Sequence, residues 1–203
     1  MANYVLVHGG HGGGNSGSVW DKVVPLLENR GHKFFTPTLS ASGTSSLGNH
    51  VSEVCRLIED GNLDGVILVG HSYASFVITG VADRIAAKIK HLVYVDSSIP
   101  ENGKSLFDMI ESSGVSYKSF AGLTPDKPFV EPLYFDAAKI KIISKTYIHC
   151  TQSEFLTVCV PFVKYVAEHA AQDNWDYFEL KSDHLCMVSH PEELAGILLR
   201  ESG

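Results

Sequence analysis

The feature that most constrains this sequence is the alternation of short apolar runs with longer segments of helical periodicity. Several runs are apolar at every position, which is typical of strands buried on both faces of a parallel sheet. The alternation therefore predicts an α/β fold: a mostly parallel sheet of about six strands with helices on both faces. The predicted strands are 4–7, 33–35, 65–69, 91–95, 144–149 and 175–180, and the predicted longer helices are 19–29, 47–60, 75–87, 160–171 and 192–200.

One long segment, 97–143, interrupts this alternation. It contains four of the eight prolines and only short helix-like pieces around 106–111 and 136–140. A chain of 203 residues suits a single domain with one sizeable core. We therefore predict one domain over 1–203, in which 97–143 is a reduced lid above the carboxyl edge of the sheet.

Composition excludes several classes of partner. The net charge of −7 argues against a nucleic-acid partner, because phosphate binding needs clustered lysine and arginine. No stretch approaches 18 consecutive apolar residues, so no membrane span is expected. The first residues lack the pattern of a secretory signal, and the four cysteines show no C-x-x-C spacing. We expect reduced, mostly buried thiols and a cytoplasmic location.

A tight turn between a buried strand and a helix carries the strongest chemical signal. Residues 70–74 read GHSYA, close to the G-x-S-x-G elbow that lifts a nucleophilic serine above a sheet. Gly70 and Ala74 supply the small side chains that this turn requires. Ser72 is the predicted nucleophile, and the backbone N–H of Tyr73, at a helix N-terminus, is a predicted oxyanion donor.

The glycine-rich loop after the first strand predicts the second oxyanion donor, the backbone N–H of Gly10. Residues 12–17 in the same loop match the dinucleotide pattern G-x-G-x-x-G, but no acidic residue ends the second strand to hold a ribose. The loop's histidines lack further ligands at metal-binding spacing. Neither a cofactor nor a metal is therefore expected.

A catalytic base and its acid should follow the serine in the chain. His184 lies after the last strand and before the final helix, where the base of a Ser-acid-His order belongs. Two carboxylates remain candidates for the acid that orients it, and the absence of any such acid is the third alternative. Asp96 ends an apolar run at the carboxyl edge of the sheet and is favoured, and Glu154 follows the next strand; Asp183 is set aside because it adjoins the histidine.

Together these stretches resemble the α/β-hydrolase superfamily, and within it the branch of plant methylesterases and hydroxynitrile lyases. The resemblance runs the length of the chain and rests on YVLVHGG, ILVGHSYASFVITGVADR, IKHLVYVDSSIPENGKSLFD, KTYIHCTQ and DHLCMVSHPEELAGIL. It implies an α/β-hydrolase fold, with Ser72 as nucleophile and His184 as base. Gly9 and Leu185 stand where the hydroxynitrile lyases have a threonine and a lysine, and this difference argues against a lyase. Ser153 stands where the family has its aspartate, which again favours Asp96.

The resulting hypothesis is a serine hydrolase that cleaves a small carboxylic ester through an acyl-enzyme, without a cofactor. The lid is expected to line the pocket, and a homodimer through the lid is a further expectation. Two alternatives are a catalytically weak small-molecule binding protein on the same fold and, less favoured, a hydroxynitrile lyase. The expected substrate-binding residues are Phe107, Tyr134 and Leu185, with Phe120 and Phe135 as further apolar candidates.

Overall fold

The computed structural model describes residues 1–10, 15–120 and 123–202. The glycine pattern at 12–17 falls partly outside these residues. Within the described chain, six strands form one sheet in the order β2-β1-β3-β4-β5-β6, and every neighbouring pair is parallel. The strands are β1 (Asn3–Val7), β2 (Lys33–Phe35), β3 (Val66–His71), β4 (Ile89–Val95), β5 (Ser144–Cys150) and β6 (Trp175–Leu180).

Helices cover both faces of this sheet, and each face has its own apolar core. One core packs α2, α3, α7 and the lid against the sheet, and the other packs α1, α8 and α9 against the opposite face. Strands β3 and β4 are buried along nearly their whole length, as their continuous apolar sequences predict. The α-helices are α1 (Val24–Glu28), α2 (Leu47–Asp60), α3 (Ala74–Ile85), α4 (Leu106–Ser112), α5 (Lys127–Val130), α6 (Ala137–Lys141), α7 (Leu156–Asp173), α8 (Cys186–Ser189) and α9 (Pro191–Leu198).

The six strands and the helices on both faces confirm the predicted fold class, and one predicted helix was wrong. The segment 19–29 is divided into a 3-10 turn, Gly17–Trp20, and the short α1. Pro25 lies in the first turn of α1 and lacks the N–H that a continuous helix would use there. No helix of the described chain is both long and apolar enough to cross a bilayer.

The segment 97–143 lies between β4 and β5 and contains α4, α5 and α6. An isolated antiparallel bridge between Lys104 and Leu133 joins its two halves. Phe107 and Phe129 are buried from this segment into the core that faces α2 and α3. The assignment of this segment as a lid within a single domain stays a prediction.

Candidate active site

Ser72 occupies a strained turn between β3 and α3. Its φ is 55°, in the left-handed region that side chains rarely adopt. Helix α3 crosses directly over this turn: a Cβ added to Gly70 would lie 2.8 Å from the carbonyl oxygen of Ala74. Glycine at 70 and a small residue at 74 therefore let the helix approach the strand, as the elbow pattern requires.

His184 lies beside this turn with its imidazole held by Asp96. The distance from His184 Nδ1 to Asp96 Oδ2 is 2.6 Å, and both side chains are almost fully buried. Because an ionised carboxylate can only accept hydrogen bonds, Nδ1 of His184 carries the ring proton and donates a hydrogen bond to Asp96. The other ring nitrogen, Nε2, is then unprotonated in the neutral ring and can act as a base.

Asp96 is the first residue after β4, and its backbone also adopts a positive φ, 43°. Its Oδ1 accepts the backbone N–H of Cys150 at 3.2 Å and the thiol of Cys159 at 3.7 Å. Burial raises the pKa of the Cys159 thiol well above its usual range, and the Asp96 carboxylate raises it further. Cys159 therefore stays protonated and can donate to Asp96.

Neither of the other two acidic residues considered, Glu154 and Asp183, is bonded to His184 in the described part of the chain. Glu154 borders the same cavity, but it makes no hydrogen bond or ion pair with His184 among the described residues. Asp183 points away and accepts the hydroxyl of Ser189 at 2.9 Å. The hydroxyl of Ser153, in the family's usual acid position, accepts the backbone N–H of Phe155. Asp96 is thus the carboxylate that the structure brings to His184.

A second histidine, His71, holds the backbone of His184 in place. Its Nε2 lies 2.8 Å from the carbonyl oxygen of His184, so Nε2 is protonated and donates to that oxygen. The two imidazole rings are also in contact, with centroids 4.4 Å apart. Burial lowers the pKa of His71 well below its usual range, and the neighbouring His184 lowers it further. His71 is therefore a neutral support for the backbone of His184.

The predicted oxyanion donors, Gly10 and Tyr73, line the same cavity as Ser72 and His184. Within the part of the chain that the structure describes, neither backbone N–H donates a hydrogen bond. Ser72 Oγ likewise has no hydrogen-bond partner there, and catalytic hydrogen bonds are often loose before substrate binds. The arrangement provides a nucleophile, a base and two free donors around one space.

This space, the catalytic cavity, has a volume of about 170 Å³ and mostly apolar walls. Of the predicted substrate-binding residues, Leu185 and Phe120 line it. Phe107 does not, because it packs in a layer behind Phe129. The expectation for Tyr134 was wrong: its side chain is 73% exposed and borders a separate surface depression, and Phe135 borders another. Phe107, Tyr134 and Phe135 all lie on the lid, where the sequence pattern does not indicate which way a side chain faces.

Several lining residues were not among the predicted site residues, and three of these contact a predicted catalytic or oxyanion residue. Phe155, from the turn before α7, packs its ring 4.3 Å from the His184 ring. Cys159 follows one helical turn later and reaches Asp96. Phe129 enters from α5 of the lid and contacts the Tyr73 ring at a centroid distance of 4.9 Å. Each contact joins distant parts of the chain, and only the apolar character of the three side chains was visible in the sequence.

Among the described residues, no group of three or more histidine, cysteine, aspartate or glutamate side chains is arranged to hold a metal ion. All four cysteines are free and buried.

A comparison with protein families identifies this arrangement. The model of the α/β hydrolase family matches residues 4–138, two thirds of the chain, including the elbow at Ser72 and the strand that precedes Asp96. The chain belongs to the α/β hydrolase family. Within this family, it is 45% identical over 119 residues to a carbendazim-hydrolysing esterase from Nocardioides, covering 54% of this chain and 48% of the relative. The chain thus spans about half the length of that relative.

Longer matches include a member of the predicted branch and a solved structure with the same fold. It is 26% identical over 258 residues to methylesterase 9 of Arabidopsis thaliana, covering 98% of both chains. An extracellular α/β-hydrolase from a Paenibacillus species, described as homologous in structure and function to tobacco salicylic acid binding protein 2, superposes with a TM-score of 0.80 at 20% identity over 99% of both chains. The resemblance to the methylesterase branch is confirmed.

Proposed function

We propose that this α/β hydrolase cleaves small carboxylic esters through an acyl-enzyme on Ser72. The observation that carries the proposal is the 2.6 Å contact between His184 and Asp96 in the cavity that also presents Ser72 at positive φ. A histidine held in this tautomer beside a serine on a strained elbow is the arrangement that activates a hydroxyl. The names of two relatives, an esterase and a methylesterase, support the same reaction.

In the proposed reaction, Ser72 Oγ attacks the ester carbonyl carbon while His184 Nε2 takes the hydroxyl proton. The carbonyl oxygen becomes an oxyanion, which the N–H groups of Gly10 and Tyr73 stabilise. His184, held by Asp96, then gives the proton to the departing alkoxide, and the alcohol leaves. A water molecule, deprotonated by His184, then attacks the acyl carbon; as the bond from that carbon to Ser72 Oγ breaks, His184 returns the proton to Oγ, and the carboxylic acid leaves.

The size and lining of the catalytic cavity support a small, largely apolar substrate. Its volume of about 170 Å³ lies below the range of about 300–1,000 Å³ that is usual for small-molecule sites. Leu106, Ile110 and Phe120 supply apolar surface from the lid side, and Val158 supplies it from α7. A short acyl chain suits such a space better than a bulky or charged group.

The test is hydrolysis of a panel of short-chain carboxylic esters by the wild-type protein and two serine variants. Ser72→Ala removes the nucleophile and is expected to lower kcat/KM by roughly 10⁴-fold or more. Ser75→Ala is the matched control, because Ser75 is buried in the first turn of α3 and does not line the cavity. Equal turnover by wild type and Ser72→Ala would contradict the proposal.

Two further expectations belong to this proposal. The four free, buried cysteines support a reducing, cytoplasmic environment. Exposed apolar side chains on the lid, those of Val130, Tyr134 and Ile142, support a homodimer formed through that segment.

A further inference from the structure

A second cavity lies beside the catalytic cavity and shares one wall with it. This polar cavity has a volume of about 380 Å³, and hydroxyl and imidazole groups form much of its lining. Ser72 and His184 do not line it. The residues on both linings are Gly9, Gly10, Tyr73 and Phe129, and those on the polar cavity alone include Asn15, Thr38, Ser42 and His50.

Phe129 is the large side chain in the shared wall that comes from the lid. It is 1% exposed, and its ring meets the Tyr73 ring edge-on at 4.9 Å. It also lies against the backbone of Gly10, where an added Cβ would come within 2.4 Å of Phe129 Cε1. The ring therefore fills the gap beside both proposed oxyanion donors.

Hydrogen bonds at both ends fix the short helix that carries this ring. Before α5, Asp126 Oδ2 accepts the hydroxyl of Ser42 at 2.6 Å. After α5, Glu131 Oε2 accepts the backbone N–H of Leu47 at 2.8 Å. Ser42 lies on the segment between β2 and α2, which forms part of the polar cavity's wall, and Leu47 is the first residue of α2. The position of Phe129 is thus set from the same side as the cavity that it closes.

Tyr73, the other side chain in the shared wall, is fixed from the polar cavity too. His50 Nε2 lies 2.9 Å from the carbonyl oxygen of Ser40, so it is the protonated nitrogen and donates to that oxygen. His50 Nδ1 therefore accepts the hydroxyl of Tyr73, at 2.9 Å. Removing the Phe129 ring would leave Tyr73 and its backbone N–H held by this second set of bonds.

We propose that Phe129 is the specificity-determining residue that limits substrate size, by separating the catalytic cavity from the polar cavity. This inference rests on the proposed esterase function and names the substrates that the site accepts and rejects. With the ring in place, the acyl group is confined to the smaller, apolar space. Without it, the two spaces join, and a longer acyl chain with a hydrogen-bonding group near its end can reach the hydroxyl groups of Thr38 and Ser42.

The experiment measures kcat/KM for p-nitrophenyl esters from acetate to decanoate, and for a matched pair of octanoates with and without a terminal hydroxyl group. Each value is divided by that for acetate, which removes any general effect on the oxyanion donors. Phe129→Ala is expected to raise the relative rate for octanoate by roughly tenfold or more, with a larger gain for the hydroxylated ester. Phe129→Trp keeps the wall filled and is expected to shorten the preferred chain or leave it unchanged.

Phe120→Ala is the matched control, because this lid phenylalanine lines the catalytic cavity and not the polar one. It is expected to favour longer alkyl chains without the added preference for a hydroxyl group. Circular dichroism checks that each variant is folded, and Phe129→Leu replaces Phe129→Ala if the latter unfolds. An active wild type with the same chain-length and hydroxyl preferences in the Phe129 variants would overturn this inference alone. A wild type that hydrolyses no ester would overturn the proposed function, and this inference with it.

Discussion

Asp96 is the residue on which the proposed chemistry depends most. A buried carboxylate is costly unless hydrogen bonds replace its hydration. Asp96 accepts three, from the His184 ring, the backbone N–H of Cys150 and the thiol of Cys159. Two of these donors come from β5 and α7, the elements that follow the lid. The chain thus supplies a complete set of partners for an acid placed one strand earlier than the position occupied by Ser153.

Replacing Asp96 by asparagine tests this assignment at the scale of one residue. The amide keeps the shape of the carboxylate but favours the wrong histidine tautomer and cannot stabilise a protonated imidazole. We expect kcat for ester hydrolysis to fall by roughly 10³–10⁴-fold. Steady-state kinetics measure this loss. Glu154→Gln is the control, since Glu154 borders the cavity without contacting His184, and a collapse of activity in Glu154→Gln alone would contradict the assignment.

Sequence reasoning was strongest for residues whose role depends on their immediate neighbours. Ser72 could be predicted because the elbow is a local pattern of small residues between a strand and a helix. Asp96 and Glu154 could not be separated with certainty, because the choice depends on which strand end approaches His184 across the sheet. Phe129 could not be predicted, since its position depends on two hydrogen bonds that join the lid to Ser42 and to Leu47, the first residue of α2.

At the scale of elements, the strands were predicted to within a few residues because their apolar runs are buried on both faces. Each run needs the sheet to satisfy its backbone groups and helices to cover its side chains, which leaves few alternatives. The segment at 19–29 was less clear. Its apolar spacing is helical, but Pro25 interrupts the backbone hydrogen bonds, and the chain forms a 3-10 turn and a short helix instead.

The short helices of the lid could be predicted only in part from the sequence. Helix α4 begins with a capping box between Ser105 and Asp108, so its start is encoded locally. Helix α5 has four residues and is held by bonds to Ser42 and Leu47. A helix this short gains little from its own hydrogen bonds, so tertiary contacts decide its orientation and the direction of its side chains. This is why Tyr134 was expected in the pocket and lies outside it.

At the scale of the whole molecule, buried histidines make stability depend on pH. Burial lowers the pKa values of His8, His50 and His71, and that of His91 to about 4. In the unfolded chain these groups titrate near 6.5, so below that pH the unfolded state binds more protons than the folded state. The free energy of unfolding should therefore fall as the pH drops from about 6.5 toward 4.

His91 offers a test of this dependence away from the catalytic cavity. Its ring lies at the start of β4, 2.8 Å from the hydroxyl of Thr146 and 3.3 Å from the carboxylate of Glu201. His91→Gln removes the titrating ring and keeps a group that can bond to Thr146. We expect the stability lost between pH 7 and pH 5 to shrink by about 1–2 kcal/mol, measured by urea denaturation at both pH values. An unchanged loss would contradict the assignment of a buried, neutral His91.

Covalent labelling is the most direct test of whether His184 and Asp96 activate the Ser72 hydroxyl. A fluorophosphonate probe phosphonylates activated serine hydroxyls, and mass spectrometry of the digested protein identifies the labelled peptide. If His184 and Asp96 activate Ser72, we expect rapid labelling at Ser72 in the wild type, much slower labelling in Asp96→Asn and none at that site in Ser72→Ala. Absence of labelling in the wild type, or equal rates in wild type and Asp96→Asn, would contradict the claim.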